Sequence, residues 1–463
     1  MRYCLAARLN YFLRTIPFTY FRKGKFFKRY DEVIKVLLAD ITQVAPESIQ
    51  DINMMIAKLH CIDGGIGLGY QEDKAVPAYV ASYTASMETI ITTFPDIQVL
   101  IDKKLNGSLT EADKIPPRLQ AYFDGIDELA QLNVTIDKQP ISLEVLMNLK
   151  KQQHKGLQRT LSKQTRIIRK QEVMEYLQNH KELADVRVFV SGQGWEASAF
   201  LDTIPKCNDL VLTSNQMANA IRRRMQVDEP NIMQGDACKC GISFDKAGIH
   251  ANTCKHFSGD RTRTHDQVKY VWGSLCRHAQ LPVRYEHLPF KRQVNNDDTT
   301  NDLGRLDLLI QTPIQLSTHH SENLPTLLDV TVVNAASNSR EINENNASVP
   351  GFAANEAERK KTILYQQRAS DNGFNFTPLG FEVQGRWSAN TRHTFDILID
   401  RMSDRDLEKS KLSTYWIKRL SITIQRMTSM HIMNSIQKIN NNYNTHIPIR
   451  HHSFLINQAE NPA

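Results

Sequence analysis

Three cysteines and a histidine lie within seventeen residues of each other, Cys238, Cys240, His250 and Cys254, in the pattern C-K-C-G-(x)8-H-(x)3-C. The stretch around them has no strong apolar periodicity, so a metal is expected to hold it in place of a core. Soft N/S donors at this spacing suit tetrahedral Zn²⁺. A tight turn lets Cys238 and Cys240 reach one ion, with Gly241 freeing the backbone behind them, and His250 and Cys254, four apart, share one face of a helical turn. His256 and His265 are spare ligands that can replace His250. The bland alternative is a set of thiols and histidines in a polar loop with no metal. With four protein ligands there is no open position for water, so a structural role is expected over a catalytic one.

The other cysteines, Cys4, Cys61, Cys207 and Cys276, are scattered singly and read as packing residues. Seven in all, an odd number, do not form a disulfide framework, which points to a reducing compartment, nucleus or cytoplasm. No apolar run approaches the roughly 18 residues a transmembrane helix needs, so no membrane partner is expected. At 463 residues the chain should fold as two or three domains, and 41% hydrophobic with 23% charged residues describes a globular protein. The formal charge is only +7, but it clusters. Met1–Tyr30 contains no acidic residue and is too rich in aromatics for a transit peptide. Val145–Gln171 is a second acid-free run, holding Lys163, Arg166 and Arg169 among its basic residues. Such stripes attract polyanions through counterion release, against the plain alternative of a solvated helix face.

Residues 1–200 read as mostly helical. Asp31–Ile41 and Pro77–Phe94 show three- and four-residue apolar spacing, and Leu143–Tyr176 is a long basic helix candidate closed off by Gly192–Gly194. Gly64-Gly65-Ile66-Gly67-Leu68-Gly69 mimics a dinucleotide loop, but no strand precedes it, so a tight connection between helices is expected. Residues 201–262 hold short helices and the cysteine cluster. In residues 263–403, helices over Thr264–Ala279 and Ala353–Ala369 alternate with strand-like runs at Val283–Leu288, Leu306–Gln311, Leu327–Asn334 and Phe376–Val383. That alternation predicts a small α/β domain. Residues 404–463 carry an amphipathic helix over Leu412–Ile439 and a tail.

Within those strands sit two aspartates. Asp307 interrupts Leu306–Ile310 and Asp329 interrupts Leu327–Val333. A carboxylate inside an apolar strand is costly unless paired, hydrogen-bonded or bound to a cation. If the polar loop Ser317–Pro325 closes a hairpin, both carboxylates reach one edge and can share Mg²⁺, while Lys360 or Lys361 on the next helix supplies positive charge. For Asp329 alone, a strand-end residue capping a turn is the competing reading.

The order C-x-C…H…C, then R-x-R-x-H-D-x-V (Arg261–Val268), R-L-D (Arg305–Asp307), D-V-T-V from Asp329, and K-K-x-x-x-Y (Lys360–Tyr365) resembles the C-terminal part of non-LTR retrotransposon polyproteins. The class is the one with a restriction-like endonuclease, in which a CCHC zinc motif precedes a PD-(D/E)XK-type nuclease that nicks target DNA to prime reverse transcription. The family's Arg/Lys-Pro-Asp, second acid, lysine and tyrosine map onto Arg305, Asp307, Asp329, Lys361 and Tyr365, with Leu306 in place of the usual proline and a longer loop between the acids. Arg2–Pro17 and the glycine run are similar to the region just after the reverse-transcriptase palm, so the chain is expected to begin inside the thumb. No Tyr/Phe-x-Asp-Asp motif occurs, and no polymerase activity is expected.

The resemblance therefore implies an α+β multi-domain protein, with a helical nucleic-acid-contacting half, a zinc motif and a small α/β restriction-endonuclease-like domain. It further implies Mg²⁺-dependent nicking, with DNA, element RNA and a separate reverse transcriptase chain as partners. The alternative is a non-catalytic nucleic-acid-binding module or an inactive relic.

Overall fold

A computed structural model describes residues 5–230, 232, 238–242, 245, 248–287, 306–317, 320–337, 347–403 and 405–442. Arg2 and Cys4 lie outside the described residues. The three- and four-residue apolar spacing of the first half does produce helices, among them α1 (Gln71–Thr93) and α2 (Lys151–His180). Their buried faces meet in one core with Phe18, Tyr122 and Phe123, to which α2 contributes Leu157 and Leu161. Tyr83 stacks on Tyr122 with ring centroids 4.7 Å apart, and the Tyr122 hydroxyl meets Thr84 at 2.9 Å.

Two details differ from the sequence reading. Helix α1 starts at Gln71 and carries Pro77 inside it. The basic stretch is broken: Leu143–Met147 stops at Asn148, Lys150 is extended, and α2 starts afresh where the Gln153 side chain accepts the Lys150 N–H at 2.8 Å. The glycine run joins two helices, Asp51–Lys58 and α1, as its lack of a preceding strand implies. Gly67 and Gly69 donate their N–H groups back to the carbonyls of Leu59 and Lys58, each at 2.9 Å. A Cβ on Gly65 would sit 2.2 Å from the Leu59 carbonyl oxygen, so only glycine permits this close return.

Helix α3 (Ser214–Met225) rivets the first half to the second through three consecutive buried arginines. Arg222 pairs with Glu229 at 2.8 Å. Arg223 donates to the Gln425 carboxamide at 2.7 Å, and Arg224 to the Gly65 carbonyl at 2.7 Å. Burial pushes the pKa of both Arg223 and Arg224 down to about 10, so they remain charged near neutral pH.

After the cysteine cluster come α4 (Ser258–His278), β1 (Val283–His287), β2 (Leu306–Ile310), β3 (Thr326–Val333), α5 (Phe352–Asp371), β4 (Asn375–Glu382), α6 (Ala389–Met402) and α7 (Asp406–Asn442). The four strands form one sheet in sequence order, antiparallel from β1 to β3 and parallel between β3 and β4, with α5 as the crossover. One face carries Leu308, Ile310, Leu328 and Val330 into a core with Trp272 of α4, Phe395 of α6, and Trp416, Leu420 and Ile424 of α7. The C-terminal helix is thus part of the α/β core. On the other face Leu309, Leu327 and Phe376 meet Ala369 and Tyr365 of α5. Side chains alternate along a strand, so Asp307 and Asp329 share the parity of Leu309 and Leu327. Among the described residues no helix is long and apolar enough to cross a membrane.

Candidate functional site

The expected hairpin forms. Strands β2 and β3 pair antiparallel with Leu309 opposite Leu327 and Leu308 opposite Leu328, and one further step in this register sets Asp307 opposite Asp329. At that level Asp307 Oδ2 accepts the Val330 N–H at 2.7 Å, so a side chain takes over where the regular ladder stops. Both aspartates are buried, at 7% and 4% exposure. Such burial needs partners, and each has one from a flanking helix.

Asp307 Oδ2 is 2.9 Å from Nε2 of His265 on α4, whose Nδ1 lies 3.2 Å from Asp266. Sequence reading made His265 a spare zinc ligand, but the structure gives it to the aspartate site. Four residues on, fully buried Lys269 is 4.0 Å from Asp307 Oδ1, donates to Asp266 at 2.9 Å and pairs with Glu286 of β1. Burial opposes the charged form of His265, yet the hydrogen bond and charge of Asp307 together with the Asp266 contact outweigh it, and the pKa is raised. Lys269 is likewise raised against burial by Glu286 and Asp266.

Asp329 Oδ2 lies 2.7 Å from Lys361 Nζ. Burial raises the Asp329 pKa to about 6, which Lys361 opposes and Asp307 reinforces. Lys361 is itself raised, because the pull of Asp329 exceeds the effect of burial. Of the two candidate lysines it is Lys361 that reaches Asp329, while Lys360 is exposed. Tyr365, one turn on, places its ring 5.4 Å from Lys361 Nζ and packs on Phe376 at 5.7 Å. Arg305 lies outside the described residues.

His265, Lys269 and Glu286 were missed as members of this site. The signal that exists is the four-residue spacing of His265 and Lys269, which puts both on one side of the expected helix. Nothing local marks Glu286.

The cysteine cluster also assembles. Cys238, Cys240, His250 and Cys254 are, among the described residues, the one group of three or more potential ligands whose donor atoms lie within 4.8 Å of one another. Cys238 Sγ is 3.5 Å from Cys254 Sγ, and Cys240 Sγ is 3.3 Å from His250 Nε2. Zinc bonds of about 2.3 Å to sulfur and 2.0–2.1 Å to nitrogen put tetrahedral ligands roughly 3.5–3.8 Å apart, so the set can hold a metal such as zinc. The Gly241 N–H closes the knuckle on the Cys238 carbonyl at 2.8 Å. Asp245 accepts the Ile249 N–H at 2.7 Å and the His250 N–H, fixing the short helix that carries the histidine. Burial pushes the Cys254 thiol up to about 11 and the His250 imidazole down, while the Ile242 backbone leads the lowering at Cys240. His256 is exposed, outside the cluster.

The basic stretch divides. Arg169 forks onto Asp73 at 2.5 and 2.7 Å and reaches Glu172 at 2.6 Å, and Arg166 pairs with Asp63 at 3.0 Å. Those two fasten α2 to the rest of the helical half. Lys163 instead continues an exposed row with Lys155 and Arg159, four residues apart on the face opposite Leu157, Leu161 and Thr165.

Compared with known proteins, the chain matches no family model and no curated relative.

Proposed function

We propose that the chain is a retroelement-derived, Mg²⁺-dependent DNA endonuclease with a structural zinc knuckle, its α/β part being a restriction-like PD-(D/E)XK domain. One observation carries this reading: Asp307 and Asp329 stand opposite each other on adjacent strands, with Lys361 on Asp329. Two buried carboxylates at one level of a sheet accumulate negative charge that a divalent cation relieves. When bound, Mg²⁺ neutralises phosphate charge and makes a water nucleophilic near neutral pH. Water oxygen would then bond to phosphorus as the P–O bond to the leaving sugar breaks, the water giving up a proton to solvent and the leaving oxygen taking one from it. Lys361 steadies the charge that builds on the phosphoryl oxygens, and His265 holds the Asp307 carboxylate in place.

DNA and element RNA are the proposed partners, held by the Lys155–Arg159–Lys163 row, and a separate reverse transcriptase chain would complete the machinery in the nucleus or cytoplasm. The direct test is Mg²⁺-dependent nicking of supercoiled plasmid, which Asp307→Ala should abolish with DNA binding intact. The second reading is a nucleic-acid-binding module without cleavage. Its support is that His265 and Lys361 already engage the aspartates, and that among the described residues the pair belongs to no group of three or more potential ligands lying within 4.8 Å of one another. Wild-type protein that binds DNA but never nicks it would decide for the module.

A further inference from the structure

A cavity of about 220 Å³ lies where the zinc-knuckle helix, α4, α7 and the C-terminal ends of β3 and β4 meet. Its apolar lining comes from Val332, Val333 and Val383. Of its polar walls, the Thr253, Thr264 and Thr428 hydroxyls are satisfied by backbone carbonyls, while His431, Asn334 and Asn252 keep hydrogen-bonding capacity. His431 is only 2% exposed, and its Nε2 has no hydrogen-bond partner among the described residues. The imidazole faces the Ala251 carbonyl, which leaves Nε2 as the acceptor, and burial lowers its pKa to about 4, so the ring is neutral. Asn334 uses its oxygen to accept the Ala336 N–H at 3.0 Å, which leaves its NH₂ to donate. Asn252 uses its NH₂ on the Gly248 carbonyl at 3.4 Å, which leaves its oxygen to accept. Arg261 is exposed at the rim with no ion pair among the described residues.

We propose that this cavity binds one unstacked nucleotide, the base edge read by Asn252, Asn334 and His431 beside the apolar lining, and the phosphate met by Arg261. The chemistry is selective. A bare oxyanion has nothing to donate to His431 Nε2 or to the Asn252 oxygen, and a purely apolar ligand would strand all three polar groups. A base offers donors and acceptors along one edge and a flat face for the valines, and its phosphate supplies the anion. At roughly 30 Å³ per water, the space equals about seven waters, enough for a ring system of this kind. Val332 lies three residues beyond Asp329 on the same strand, so a nucleotide held here sits about 10 Å from the carboxylate pair. The proposal rests on the nucleic-acid reading above for its substrate class, but not on cleavage.

Binding is measured on full-length Asp307→Ala protein without Mg²⁺, so inert carboxylates cannot affect the result. The probes are a fluorescein-labelled single-stranded oligonucleotide, adenosine monophosphate and inorganic phosphate. His431→Gln changes no charge and Arg261→Ala lies at the surface; each should weaken oligonucleotide binding about tenfold, the loss of one buried or charge-assisted hydrogen bond. Competition by adenosine monophosphate would show that free nucleotides also enter, and binding of the oligonucleotide alone would assign the site to a residue within a strand. Unchanged affinity in Arg261→Ala overturns the proposal even if His431→Gln fails to fold. So does inorganic phosphate competing as well as the nucleotide.

Discussion

Replacing Asp329 by Asn should make the protein more stable and less active at once. The carboxyl is 4% exposed, and its pKa rises from 3.8 to about 6 although Lys361 is 2.7 Å away. At about 1.4 kcal/mol per tenfold change in proton affinity, keeping Asp329 ionised at neutral pH destabilises the fold by about 3 kcal/mol. Asparagine keeps the shape and a carbonyl oxygen for Lys361 without the charge, and the lysine, one-third exposed, can also reach water. The sign follows from proton uptake. Native Asp329 binds its proton more tightly than the unfolded chain does, so wild-type stability falls as pH rises through the window from about 4 to about 6 and stays low above it. The asparagine variant has no such window. The two proteins should therefore unfold alike in urea at the acid end and diverge by up to about 3 kcal/mol at neutral pH, or about 5 °C in melting temperature. Adding Mg²⁺ should recover the difference in wild type by binding the native state, and leave the variant unmoved. A variant less stable than wild type at neutral pH, or a gap that does not change with pH, would refute the argument.

Purified protein should hold about one zinc by elemental analysis, and a chelator or Cys240→Ser should speed hydrogen exchange around Ile432 and Ile436, which pack on Cys238 and Cys254. Reversing Lys155, Arg159 and Lys163 should weaken DNA binding and flatten its log–log salt dependence by about 0.9 for each duplex phosphate no longer neutralised; an unchanged slope would make the row a solvated face. Arg169→Ala, by contrast, should leave the salt slope alone and lower stability by about 1 kcal/mol, because the Arg169 side chain in its fork on Asp73 is about one-third exposed. Lys361→Met should raise the Asp329 pKa further, moving any pH–rate profile for nicking toward alkaline pH.

The strands of the site were legible because each is a short apolar run between polar loops: the reading of Leu306–Gln311 against the observed Leu306–Ile310 differs by one residue. The hairpin followed from two aspartates that each needed company. What remained hidden depends on contacts between distant segments. His265 could serve a zinc ion or a carboxylate, and only the packing of α4 beside β2 decides. Arg166 and Arg169 look like their exposed neighbours until α2 is laid beside Asp63 and Asp73. The break before α2 turns on a single side-chain cap from Gln153, which ordinary helix formers around it conceal. Arg222–Arg224 gave no sign of burial, since their partners include Gly65 and Gln425, far away in the chain.

That arginine rivet bears on how this protein can be taken apart. A chain built from exchangeable modules breaks at linkers where few contacts cross. Here a cut ahead of α3 would leave the buried Arg224 guanidinium facing empty space on one fragment and bare carbonyls of Cys61, Gly65 and Ala197 on the other. Unpaired buried charge is among the costliest defects a fold can carry. Neither half is thus an independent inheritance: recombination could trade the helical half only together with its partner surface, and the same arginines, with ion pairs such as Arg392–Glu196, hold the Lys155–Lys163 row at its distance from the carboxylate pair.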